Sequence, residues 1–270
     1  MKKGQKFPHH PDDLLSTMHE RILVLTFNRQ ERYNAWTEAL RDELTRRLLE
    51  ADNDANVDAL VITGAGDKAF CAGQDLGESE EESDEAHMEL WVQRLTACYD
   101  AVREFSKPLV AAINGVAAGS GFQLVQFCDY TVAHPAVRLG QTEVSSGIPS
   151  VFGTWLMWER IGSRAYELSL QGRLMEAEEA KQLGFINEMV EQSNVLDAAL
   201  NAARRLAKLP RVAYRISKSA NRQFDQERYT NALRMSVAAL REAFETGAPQ
   251  KEISEFFESR RTRNTGAQGF

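Results

Sequence analysis

Three stretches of this chain carry residues whose types and spacing suit chemistry at a carbonyl oxygen that becomes negative during reaction. The first is Lys68-Ala69-Phe70-Cys71-Ala72-Gly73-Gln74-Asp75-Leu76. Its small residues let main chain approach a ligand, the Gln74 amide is placed to donate to such an oxygen, and Asp75 can hold the turn by accepting local N–H groups. A tight strand-to-helix turn with no ligand is the competing reading. The second stretch runs from Asn114 through Gly119-Ser120-Gly121. A helix starting near Gly121 would aim the Ser120 amide outward at its positive end, where unpaired N–H groups and the helix dipole favour negative charge. One donor from each loop would make an oxyanion hole, although close helix packing also selects small residues. The glycine spacing of a dinucleotide-binding loop is missing. The third element is Glu143 in GQTEVSSGIPS. Held at a pocket edge ahead of an apolar helix, its carboxyl would gain proton affinity by desolvation and serve as a general base; a capping or exposed glutamate is the alternative. Gln123 interrupts the apolar run FQLVQF, so it either orients water or a substrate carbonyl, or satisfies buried main chain.

Aromatic residues face the same two readings. Trp155 and Trp158, three positions apart, either shape an acyl pocket or pack in the core, and Trp36 divides the same way. Phe256 and Phe257 are placed to contact a cofactor or another subunit, with helix packing as the alternative.

The elements that must position these residues follow from periodicity. Apolar runs predict strands at Ile22–Phe27, Ala59–Thr63, Leu109–Ile113 and Tyr130–Ala133. Leucines at helical spacing predict a helix from about Thr37 to Glu50, and Leu90, Trp91, Leu95, Cys98 and Val102 another from about Met88 to Phe105, ended by Pro108. Between Glu78 and Glu85 six of eight residues are acidic, which predicts an exposed loop through charge repulsion. Helical patterns then cover Ser163–Gln171, Glu176–Leu183, Val195–Leu209, Val212–Gln223, Glu227–Phe244 and Lys251–Arg260. The chain therefore reads as an α/β protein with a mixed core over 1–204 and a helical region over 205–270.

Composition narrows the function. A hydrophobic content of 43% and a charged content of 26% are globular values, against wholesale disorder. A net charge of -7 gives no basis for general affinity to nucleic acid or an anionic membrane. No apolar stretch is long enough for a membrane helix, and MKKGQKFPHHPDDLL does not read as a secretory signal. Three cysteines, Cys71, Cys98 and Cys128, suit reduced thiols in a cytoplasmic protein, no spacing resembles a zinc site, and the His9–His10 pair reads as part of a mobile terminus, with a weak metal ligand as the alternative.

Taken together, FNRQERYNAW, DKAFCAGQDL, AAINGVAAGSGFQLVQFCDYTVA, LGQTEVSSGIPS, GRLMEAEEAKQLGFINEMV and RRLAKLPRVAYRISKSAN resemble the crotonase superfamily, the enoyl-CoA hydratases and isomerases, over most of the chain and in the family's order. The resemblance implies a spiral of repeated β-β-α units with C-terminal helices used in assembly, as a homo-trimer or dimer of trimers. It implies a coenzyme A thioester substrate and no separate cofactor. Gln74 and Ser120 match the two oxyanion-hole positions. Ala69, Phe70, Ala72, Asp75 and Leu76 match the loop that binds adenosine and thioester, with Lys68 beside them. Glu143 matches the second family glutamate. Three departures matter. Gln123 replaces the first glutamate of the hydratase pair, and an amide cannot accept and return a proton at neutral pH. The segment GIPSVFG is shorter and poorer in glycine than usual, with Val151, Phe152, Trp155 and Trp158 placed to narrow the pocket. Ser259 stands where a lysine often meets coenzyme A, leaving Arg260 or Arg261 to supply that charge. The resemblance therefore implies Δ3 to Δ2 isomerisation of an enoyl-CoA through Glu143; hydration with water oriented by Gln123, and a non-catalytic acyl-CoA binder, are the alternatives.

Overall fold

The computed structural model describes residues 10–78 and 85–255. Most of the acidic loop, together with Phe256, Phe257, Ser259, Arg260 and Arg261, lies outside the described residues. Parallel strands β2 (Ile22–Phe27), β3 (Ala59–Gly64), β5 (Leu109–Ile113) and β7 (Tyr130–Ala133) form the centre of a six-stranded sheet. The edge strand β1 (Leu14–His19) is antiparallel to β2, and β10 (Glu188–Met189) closes the far side, giving the order β1-β2-β3-β5-β7-β10. Every residue of β3 and β5 is buried, because helices cover both faces and the strands need apolar side chains on each. On one face α7 (Val195–Ala207) seats Ala199, Leu200 and Ala203 against Val24, Val61 and Val110. On the other, α1 (Glu38–Asn53) and α2 (Glu85–Glu104) join the main core through Leu40, Leu44, Cys98 and Val102.

A second sheet holds β4 (Ala69–Cys71), β6 (Val116–Ala118), β8 (Arg138–Gly140) and β9 (Met175–Glu176), in that order. The pairs β3/β4, β5/β6 and β7/β8 each send one strand to each sheet. A helix follows each pair: α2, α3 (Ser120–Phe127) and α4 (Val151–Ile161). This is the expected β-β-α repeat. The short helices α5 (Arg164–Gln171) and α6 (Ala177–Gln182) flank β9. Because β4 and β6 are parallel, with Ala69 opposite Val116 and Cys71 opposite Ala117, both chains leave the sheet at the same end. That brings Ala72–Gln74 beside Gly119–Ser120.

The two helices expected over 212–223 and 227–244 are one, α8 (Arg211–Glu245). The hydrophobic periodicity lapses near Phe224, which is 80% exposed, but neither glycine nor proline interrupts the run. A tertiary brace holds the join: buried Arg103 donates to the Arg222 carbonyl at 2.5 Å, to Gln226 Oε1 at 2.6 Å and to Asp225. No helix among the described residues is long and apolar enough to cross a membrane, and all three cysteines are free and buried.

In the first turn of α3, Gly121 lies so close to β4 that an added β-carbon would sit 2.3 Å from the Cys71 carbonyl oxygen. Gly121→Ala is expected to lower unfolding stability by about 1–3 kcal/mol through overpacking, read as a fall in the urea midpoint. An unchanged midpoint would contradict this seating of α3 on β4.

Candidate active site

A cavity of about 670 Å³ opens where β4 and β6 end, lined by residues from both loops, α2, the turn before α4, and α8. One residue sets the two loops against each other. Trp36, fully buried, donates its main-chain N–H to the Gly73 carbonyl at 3.0 Å, and its carbonyl accepts from Asp75 N–H at 3.0 Å. This places Gln74 opposite Trp36 in a parallel bridge. Since successive N–H groups of an extended chain point to opposite sides, the Gln74 N–H faces away from Trp36. The Trp36 indole donates to Ser120 Oγ at 2.9 Å. Ser120 is the first residue of α3, so its N–H belongs to the first turn, where no helix carbonyl is available to receive it. A β-carbon on Gly73 would lie 3.3 Å from the Ser120 nitrogen, which measures how near the loops are. Gly73 has φ +92° and Gly119 φ +53°, conformations that side chains disfavour.

The loops are held from below as well. Asn34 Nδ2 donates to the Ala69 carbonyl at 2.7 Å, and Arg29 pairs with Asp75 at 2.9 Å. Asp75 also accepts from Gly77 N–H at 3.0 Å, the turn-holding role its sequence context suggested. The Gln74 side chain runs the other way. It accepts from the fully buried Arg41 and donates to Glu78 at 3.1 Å. Glu78 also receives the Glu38 N–H at the start of α1, and burial pushes its carboxyl up to about 7.

Glu143 stands on the Ser120 side. A β-carbon on Gly119 would lie 3.4 Å from Glu143 Oε1, so the carboxyl sits within van der Waals reach of the residue preceding the Ser120 N–H. It accepts from Gln123 Nε2 at 2.8 Å and from Ser150 Oγ at 3.3 Å. Burial outweighs these donors and pushes it up to about 7. Gln141 is fully buried beside it, with one amide atom 2.7 and 2.8 Å from the two carboxyl oxygens. Nitrogen in that place donates to an ionised Glu143. Oxygen there accepts from Gln123 Nε2 at 3.2 Å and suits a protonated Glu143. The far end of the Gln123 amide, Oε1, accepts from the buried Tyr99 hydroxyl.

Of the residues singled out in the sequence, Ala72, Gln74, Asp75, Leu76, Ser120, Gln123 and Glu143 all line this one cavity. Lys68 is exposed, while Ala69 and Phe70 are buried in the core, Phe70 edge-on to Phe27. Of the aromatic candidates for the pocket wall, Phe152 lines it; Trp155 packs behind against Phe152 and Tyr229, and Trp158 lies outside beside Tyr166. Sequence reading missed Tyr99, Gln141, Glu78 and the α8 stripe Leu233, Val237, Leu240 and Phe244, which lines one wall of the cavity. The three- and four-residue spacing of that stripe was the available signal.

The family model described as enoyl-CoA hydratase/isomerase matches residues 17–266. The chain belongs to the enoyl-CoA hydratase/isomerase family. Among curated relatives, a short-chain-enoyl-CoA hydratase of Clostridium acetobutylicum is 30% identical over 243 residues, covering 89% of this chain and 93% of that one. A 1,2-epoxyphenylacetyl-CoA isomerase of Escherichia coli is 30% identical over 258 residues, covering 94% and 98%. The crystal structure of an enoyl-CoA hydratase/isomerase from Mycobacterium paratuberculosis superposes with a TM-score of 0.84 at 24% identity, covering 91% of this chain and 98% of that one, a likeness of fold. The chain is thus similar over nearly its whole length to enzymes that carry out two different reactions.

Ser120 separates main-chain from side-chain roles. Ser120→Ala keeps the N–H but strips the Trp36 indole of its acceptor. We expect a stability loss of about 1–3 kcal/mol in chemical denaturation, the cost of an unpaired buried donor. Any acyl-CoA turnover should fall by less than about tenfold, well short of the about 10²–10³-fold lost with an oxyanion donor.

Proposed function

We propose that the enzyme shifts a carbon–carbon double bond in an enoyl-CoA thioester, from the Δ3 to the Δ2 position, with Glu143 as the proton carrier. The thioester oxygen lies between the Gln74 and Ser120 N–H groups. Glu143 takes a proton from C2; the C–H electrons move into the thioester and the dienolate spreads its charge onto that oxygen. Return of the same proton to C4 places the double bond between C2 and C3. Atoms and charge balance with no added water.

The observation carrying this reading is the direct 2.8 Å contact between Gln123 Nε2 and Glu143 Oε1. Addition of water needs a second group to exchange a proton with the water, and Gln123 cannot do so. A desolvated carboxyl with a proton affinity near neutrality suits a base that must both accept and release a proton. Hydration is the second reading, favoured by the likeness to the clostridial hydratase. In the proposed assembly, a trimer or a pair of trimers, exposed apolar side chains such as Leu170, Val212, Ile216 and Phe224 give subunits a surface to cover.

Glu143→Gln is expected to lower turnover of 3-enoyl-CoA by about 10²–10⁴-fold, and wild-type product formed in ¹⁸O-water should carry no solvent oxygen. Label in the acyl product would favour hydration. Because Glu143 must be ionised to accept the C2 proton, and burial keeps it neutral until about pH 7, kcat/KM should rise with pH through about 7 and then level. A profile already flat from pH 5 upward would contradict the role.

A further inference from the structure

Tyr99 lies on α2, one turn beyond Leu95, and by periodicity belongs simply to the core face of that helix. It is 1% exposed, and its ring stacks on Phe152 with centroids 5.0 Å apart and planes 18° apart. Packing alone would be served as well by phenylalanine. The hydroxyl, however, donates to Gln123 Oε1 inside the site. A tyrosine hydroxyl can also accept, but among the described residues Gln123 Oε1 is the one acceptor its proton meets, so that bond favours the orientation in which the amide nitrogen faces the carboxyl beyond it. With Oε1 held by Tyr99, the Gln123 NH₂ group is turned to Glu143 Oε1 at 2.8 Å. If the amide rotated by half a turn, its oxygen would face Glu143, and only a protonated carboxyl could bond to it.

We propose that Tyr99 is a positioning residue of the proton-transfer site: its hydroxyl locks the Gln123 amide so that Glu143 meets a donor rather than an acceptor. The lock rests on the reading of Glu143 as proton carrier. It has a direct chemical consequence. A donor aimed at the carboxylate favours the ionised form, opposing the burial that favours the neutral one. Removing the hydroxyl releases the amide to offer Oε1, and Glu143 then keeps its proton to higher pH. The Tyr99 hydroxyl itself stays protonated through this range, since burial raises its pKa well above the usual tyrosine value.

The groups around the Glu143 carboxyl are uncharged: Gln123 from α3, Gln141 from the end of the second sheet, and Ser150 ahead of α4. On the opposite side of the cavity Glu78, beside Gln74, Arg41 and Glu38, is a second carboxyl raised to about 7. Its titration must be separated from that of Glu143. Glu78→Gln serves for that purpose.

The test compares the midpoint of the pH–kcat/KM profile for 3-enoyl-CoA in the wild type, Tyr99→Phe, Gln123→Met and the double variant. The Glu143 carboxyl is followed in parallel by ¹³C NMR of glutamate-labelled protein, its resonance assigned by loss in Glu143→Gln and measured in a Glu78→Gln background. Tyr99→Phe should move both midpoints upward by about one pH unit, a tenfold gain in proton affinity. In Gln123→Met the same substitution should move neither. Unmoved midpoints in Tyr99→Phe, as expected if the residue only packs against Phe152, would overturn the proposal. So would an equal shift with and without Gln123. The NMR titration reports the lock independently of turnover: if Glu143→Gln stays fully active, the isomerase reading fails, while an unshifted resonance in Tyr99→Phe sinks the lock alone.

Discussion

The proposed chemistry depends on two main-chain amides from loops far apart in sequence, and hydrogen bonds of Trp36 tie those loops. Its backbone zips onto Gly73 and Asp75, and its indole reaches Ser120 across the gap. The parallel pairing of β4 with β6 brings the loops to the same edge; Trp36 sets how they face. Amides fixed in this way need little reorganisation when an oxygen between them gains charge, which is the condition for donors to favour a transition state over a ground state. A buried aromatic outside the cavity wall thereby bonds to both loops at once.

Around that pair the polar groups divide into two chains. One runs from Tyr99 through Gln123 to Glu143, with Gln141 alongside. The other runs from Arg41 through the Gln74 side chain to Glu78 and the start of α1. Each contains a single carboxyl that burial has made a weaker acid, and each holds it through an amide whose two ends are chemically different. Such networks are costly when half satisfied; Asn34, Arg29 and Ser150 bond to the residues involved or to the turns that carry them, while Arg41 Nε and Nη2 meet no hydrogen-bond partner among the described residues.

Much of this was legible in the sequence where one physical demand dominated. The buried parallel strands at Ile22–Phe27, Leu109–Ile113 and Tyr130–Ala133 match their apolar runs residue for residue, because strands covered on both faces must be apolar throughout. The three-residue strands β4, β6 and β8 are too short to show any period, and β1 is an edge strand with four of its six residues exposed, so its pattern does not alternate. The continuity of α8 depends on Arg103, more than a hundred positions away, which no local window contains. In the site, Gln74, Ser120, Gln123 and Glu143 announced themselves by interrupting apolar or glycine-rich context. Tyr99 did not, because a residue that packs with its ring and bonds with its tip looks in sequence like packing alone. Trp36 was ambiguous for the same reason.

The helix α8 presents Leu233, Val237 and Leu240 to the cavity while Val212, Ile216 and Phe224 point to solvent from its other half. Arg103 anchors it near the middle. In the proposed assembly, a rod that both walls the cavity and carries uncovered apolar surface would link the two by reciprocity: docking against the outer half would steady the wall, and filling the cavity would steady the docking face. Occupancy and association would then be two readings of the same helix position.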